Sequence, residues 1–200
     1  MTKAIRWRII VLQVVAVLVF AFGSFGAFYA TSFINGQVHD QLAPQQISFP
    51  ATAAQGLPAD LSAYAGQQVT NGDQAHAYAE HFIGLHLQEI GKGHPYSYWS
   101  GQAMAATDPT VKATDQAIAD TLFKGETLRS MLNQAWTFSV VAQIAFYAGL
   151  GLALAGLVIL VALGFEVVET VRGTESVKAI AIAAPPNGKV TATREPAMIN

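Results

Sequence analysis

The chain contains no cysteine. That excludes disulfides, thiolate nucleophiles and sulfur-ligated metal, though it does not identify a redox compartment. Charge is also scarce: 11 Lys and Arg stand against 13 Asp and Glu in 200 residues, with no basic cluster on any expected helix face. Nucleic acid is therefore not an expected partner. No serine, lysine or carboxylate dyad sits in a catalytic context, and no Gly-rich phosphate loop follows a strand. Catalytic residues, cofactors and an independent enzymatic activity are accordingly not expected.

One absence shapes the whole reading. Residues 138–165 hold no charged side chain, which is long enough for a helix to cross a bilayer. Residues 9–33 form a second such run, and every histidine lies between the two. Lys3, Arg6 and Arg8 precede the first run in the manner of a signal peptide, but neither Ala27 nor Ala30 has a small residue two places before it. A retained anchor is the expectation. Arg172 and Lys178 follow the second run, whereas the loop ends offer only Lys124 and Arg129. By the positive-inside rule both termini are cytoplasmic and the insert extracytoplasmic in the plasma membrane. The expected fold is an all-α membrane protein: a cytoplasmic N-terminus (1–8), transmembrane helix one (9–33), an extracytoplasmic helical domain (34–135), transmembrane helix two (136–168) and a disordered cytoplasmic tail (169–200). Trp7, Tyr29 and Trp136 stand where interfacial aromatics belong.

Within span one, Gln13 is the strongly polar side chain, better placed against a neighbouring helix than against lipid. In span two, Ala145, Gly149 and Ala153 recur every four residues, and Gly151 with Ala155 repeats the spacing. Such residues let helix backbones approach closely, either span against span or against another membrane protein. Gln143 is placed to hydrogen-bond across either interface.

The insert begins with residues rich in Pro, Gly, Gln and Ala, mostly irregular from 35 to 71. Gln46, Ile47, Ser48 and Phe49 alternate like a short strand that Pro50 ends, and Pro58 with Asp60 suggests a turn. Asn71 then offers a cap for a helix over about 73–90, ended by Gly91, Lys92 and Gly93. At about 100° per residue, Tyr78, Phe82, Ile83, Leu85, Leu87 and Ile90 share an arc that must be buried. Pro95 opens a second helix running to about Ala106. Asp108 and Pro109 cap and start a third. Its stripe of Val111, Ile118 and Leu122 drifts to Leu128 and Leu132 and runs into span two as one rod, with Gly125 the weak point.

Chemistry is sought first among the histidines. His76 and His81 lie five apart, as do His81 and His86, so each pair diverges by about 140°. Only His76 with Glu80, and His86 with Glu89, converge, which is too few ligands for a tetrahedral metal site. His76 and His81 lean to solvent. His86 falls inside the apolar arc, as a core histidine hydrogen-bonded to another helix or as a pH-sensing or ligand-contacting group. Tyr96, Tyr98 and Trp99 either pack in the core, sit at the membrane interface or line a pocket with His86. Glu126 and Arg129 are positioned as an ion pair. Arg129 also lies near the apolar stripe, within reach of a carboxylate on the first insert helix such as Glu89.

Three strings carry a resemblance: QLAPQQISFP at 41–50, YAGQQV with AHAYAEHFI and HL across 64–87, and LFKGETLR at 122–129. Together the chain resembles an uncharacterised actinobacterial family of two-span membrane proteins, from Gln41 to about Leu163. Some relatives carry the label of an aromatic ring-opening dioxygenase subunit, which implies iron chemistry that the residues here do not support. The resemblance makes the Gly125–Arg129 segment and His86 the positions of greatest interest. The expected function is that of a non-catalytic accessory or assembly subunit of a larger plasma-membrane complex, meeting lipid and other integral membrane subunits. The interaction residues would be Gln13, Ala145, Gly149, Ala153, Gly125, Glu126 and Arg129. The alternative is an extracytoplasmic protein that binds or senses a ligand or metal.

Overall fold

Two long helices and the segment joining them make up the computed structural model, which describes the main chain of residues 3–183 and the side chains of residues 4–172. About 85% of it is helical and, among the described residues, there is no strand. The elements are α1 (Lys3–Leu42), α2 (Gly72–Ala77), a π-helical stretch (Tyr78–Ile83), α3 (Gly84–Ile90), α4 (Tyr96–Ala105) and α5 (Pro109–Ala183). Both α1 and α5 contain stretches long and apolar enough to cross a membrane. Only 6% of the most apolar 18-residue window of each is buried against the rest of the chain.

Several boundaries differ from the sequence expectation. Helix α1 does not end near residue 33 but continues to Leu42, because its last turns bury Val38 and Leu42. The join from 43 to 71 is less irregular than its composition suggests. It contains three short 3₁₀ turns (Ala43–Gln45, Ala53–Gln55, Ala59–Tyr64). Ser48 pairs with Gln68 in an isolated antiparallel bridge, secured by Phe49 N–H to Gln67 O at 2.9 Å and Val69 N–H to Ile47 O at 2.8 Å. Phe49, Leu57, Leu61 and Val69 are all buried there. At the other end α5 runs helical to Ala183, so residues 169–183 are not the irregular tail expected; residues 184–200 lie outside the described residues.

Helix starts follow the expected chemistry. The Asn71 side chain accepts the Gln74 N–H at 2.9 Å at the head of α2. Asp108 accepts from Thr110 N–H at 2.7 Å and Val111 N–H at 3.2 Å at the head of α5. These donated bonds favour the ionised carboxylate and hold the Asp108 carboxyl below its usual range. Lys92 and Gly93 take positive φ between α3 and α4 and end the helix as expected.

The chain forms two compact units. In the first, residues 1–20 and 154–200, Gly156 lies where a Cβ would sit 3.2 Å from that of Phe20, and Arg6 Nε is 3.9 Å from Glu166. The Gln13 side-chain oxygen is buried with no hydrogen-bond partner. The second unit, Ala21–Ala153, contains the main core, built on Leu42, Phe49, Leu61, Val69, Leu122 and Leu132 with the small residues Ala75 and Ala79. There Ser24 donates to Gly149 O at 2.9 Å, and Thr31 to Ala142 O at 3.1 Å. Gly149 faces Ala27 and Phe28, and Ala142 is fully buried. Span-against-span packing accounts for only part of the small-residue stripe. Gly149 is a close-packing position and Ala145 is half-buried, but Ala153 is exposed and Gly151 faces open space. The buried positions follow a 3-4 spacing through 142, 145, 149 and 152, as helices packed at a shallow angle require, rather than a strict spacing of four.

Candidate functional site

The polar centre of the second unit lies where the α2–α3 helix crosses α5. The π-helical stretch determines what meets there. Ala75, Ala79, Ile83 and Leu87 are all buried, at a spacing of four. On an ideal helix that spacing would drift about 40° per step. Under-winding through the π turns cancels the drift and holds all four on one face. The expected arc is therefore corrected: Leu85 and Ile90 are exposed, and Ala75 and Ala79 take their place.

Two glycines permit the crossing. A Cβ on Gly125 would strike the Leu87 side chain, so Gly125 is the contact point of α5 with α3 and not a weak point of the rod. A Cβ on Gly72 would strike Ser139 and lie 3.2 Å from the Trp136 Cα. Along α5 the buried series passes through Ala119, Leu122, Leu132 and Ala142, and partly buried Arg129 falls on the same side. Val111 and Leu128, expected in this stripe, are exposed.

Arg129 is thus carried onto the π-helical turn. It forms a two-pronged ion pair with Glu80, Nε to Oε1 at 3.2 Å and its terminal nitrogen to Oε2. Spacing alone allows any carboxylate on that helix, Glu89 among them. Glu80 is the one because α5 crosses earlier along the helix, at the π turn. Glu126 lies 3.5 Å from the other guanidinium nitrogen, as the three-residue spacing implied. Asn133, one turn further, donates to Glu80 Oε1 at 2.6 Å. Its Oδ1 is then the acceptor for His76 Nδ1 at 3.1 Å, which makes Nδ1 the protonated ring nitrogen. His76 also stacks on Trp136, ring centroids 4.1 Å apart. His76 therefore does not lean to solvent, and Trp136 is partly buried beneath it. The hydrogen bonds from Arg129 and Asn133 hold the Glu80 carboxyl below its ordinary range against the opposing effect of burial, and the pair holds Arg129 more firmly protonated. Burial moves the Tyr78 phenol upward.

The expected pocket residues do not converge. His86 is exposed, with Nδ1 donating to Phe82 O of its own helix at 2.8 Å. It is not a core histidine, because the π stretch turns residue 86 away from the crossing. Trp99 donates Nε1–H to Gly91 O at 2.8 Å and carries the Lys92 ammonium 5.7 Å above its ring, so it braces the α3–α4 turn. Tyr98 stacks on His94 at 3.9 Å. Tyr96 alone of the four lines a cleft of about 600 Å³, with His94, Gln88, Glu80, Glu126 and Arg129. His81 is exposed as expected and pairs with Asp60 at 2.5 Å. Among the described residues no three His, Asp or Glu side chains come together to hold a metal ion.

Chemically, the chain from His76 through Asn133, Glu80 and Arg129 to Glu126 is a closed arrangement. Its charged groups are paired with one another, which suits holding two helices in register. The sequence carried its signals separately: His76 with Glu80, and Arg129 near the α5 stripe. Asn133 was missed, because an amide on a long helix has no distinguishing neighbours. Comparison of the chain with protein-family models, with curated proteins and with solved structures gives no match.

Proposed function

We propose that this is a non-catalytic integral protein of the plasma membrane, an accessory or assembly subunit of a larger complex. On this reading α1 and α5 cross the bilayer, both termini are cytoplasmic, the joining segment is extracytoplasmic, and lipid and other integral subunits are the partners. The apolar, largely uncovered faces of both helices support insertion, since such surface is stable only against lipid or protein.

The observation that carries the subunit reading is an uncovered apolar strip on α5 above the proposed bilayer. Phe123 is 59% exposed and Met131 65%, and the two border the same shallow groove as Tyr96. Tyr96 rests against Phe123 at 5.6 Å and extends the strip. On the proposed topology Phe123 lies about 20 Å along the helix from the interfacial Trp136, beyond the reach of lipid, so a protein partner is the fitting occupant. The test is a mild-detergent pull-down of the tagged full-length protein followed by mass spectrometry. Stoichiometric integral membrane subunits are expected; a lone monomer with no cross-linked partner overturns the proposal.

The second reading, an extracytoplasmic binding protein, is favoured by the cleft of about 600 Å³ beside Arg129. It is secondary because the charged groups of that cleft are already paired with each other.

A further inference from the structure

A second cleft differs from the first in one respect: five of its polar side chains have no partner within the chain. It lies within the second unit, between the 31–39 stretch of α1, the head of α2 and the 136–147 stretch of α5, as an open groove of about 810 Å³. Asn35, Asp73, Ser139, Gln143 and Tyr147 all line it. Among the described residues none of these five side chains makes a hydrogen bond or ion pair within the chain. Trp136 closes one wall, held in place by its stack on His76.

The lining selects a chemistry. No Lys or Arg contributes, so nothing compensates a phosphate, and the Asp73 carboxylate repels one. His39 on the rim faces Asp40, 3.4 Å away. Two amides, a carboxylate and two hydroxyls, set beside indole and phenol rings, suit a ligand with many neutral hydroxyls and flat C–H faces. If α1 and α5 cross the bilayer as proposed above, on which this step rests, the groove lies at the level of the outer-leaflet headgroups. We propose that it binds the uncharged, sugar-bearing headgroup of a glycolipid, with the acyl chains descending past Phe146 toward the bilayer interior.

The experiment uses the full-length protein in phosphatidylcholine nanodiscs doped with diglucosyl diacylglycerol, phosphatidylglycerol or phosphatidylethanolamine, with retained lipid read by native mass spectrometry. Diglucosyl diacylglycerol should be retained about tenfold over either phospholipid, as two or three added hydrogen bonds allow. Asp73→Asn with Gln143→Leu should lose about that factor at unchanged helicity, and Tyr96→Ala, in the other cleft, should not. Equal retention of the phospholipids, no effect of the double variant, or a protein partner cross-linked into the groove overturns the inference. Equally tight binding of free disaccharide overturns the assignment to lipid. Alkaline carbonate extraction of native membranes separates the two levels. A protein that washes off sinks the membrane reading, whereas one that stays but retains no glycolipid sinks this inference alone.

Discussion

Arg129 illustrates how spacing can indicate the helix that a side chain reaches while geometry selects the residue on it. It sits on the buried side of α5, where an unpaired guanidinium would be costly, and Glu80 and Asn133 make that position tolerable. Both members of the pair are about 30% exposed, so the interaction lies between a surface bridge and a buried one. Glu80→Gln should therefore cost about 1–2 kcal/mol in unfolding free energy. The pH dependence has a definite sign. A carboxyl held below its ordinary range stabilises the fold fully above the unfolded value, about 4.3, and loses that contribution as pH falls through the folded value. The difference in Tm between wild type and Glu80→Gln should be constant from neutral pH to about 5 and close below about 4. A difference that persists into acid would show that Glu80 acts through packing rather than charge. A double-mutant cycle with Arg129→Met isolates the pair.

At the scale of elements, the informative contrast is between two glycines in helices. Replacing Gly by Ala in a helix interior gains up to about 1 kcal/mol from propensity. Gly101 in α4 has open space around a prospective Cβ, so Gly101→Ala should raise stability by roughly that amount. Gly125 in α5 meets the buried Leu87 side chain, whose Cδ1 and Cγ both lie 3.1 Å from the Cβ position. Overpacking of about 1–3 kcal/mol exceeds the propensity gain, so Gly125→Ala should lower stability in a denaturation series. Equal and positive shifts for both variants would contradict the close crossing. The hydrogen bond from Ser24 to Gly149 O ties α1 to α5. Ser24→Ala should cost roughly 0.6 kcal/mol, the average for interhelical bonds in a bilayer, measured by steric trapping or reversible unfolding in detergent.

For the whole molecule, the proposed subunit role turns on surface that nothing in this chain covers. Phe123→Glu with Met131→Glu changes two residues already exposed, so Tm should shift by no more than about 0.5 kcal/mol equivalent. Capture of partners in the mild-detergent pull-down should fall at least severalfold, because truncating central apolar contacts commonly costs over 1 kcal/mol each. Undiminished capture would place the interface elsewhere, for instance along the apolar faces of α1.

Much was legible before any coordinates. The two uncharged runs announced long apolar helices, and local chemistry placed the caps at Asn71 and Asp108 and the stop at Gly93, because these features depend on residues a few positions apart. The continuous rod through Gly125 was also legible, since no proline breaks α5 after its first position. What the sequence could not reveal was the π-helical turn. No proline, glycine or other local signal within residues 78–83 marks it. That turn moves Ala75 and Ala79 into the core, carries His86 out of it and delivers Glu80 rather than Glu89 to Arg129. Period and spacing assume an ideal helix. Only the tertiary contacts decided how far this one departs from it, and with that departure which side chains meet.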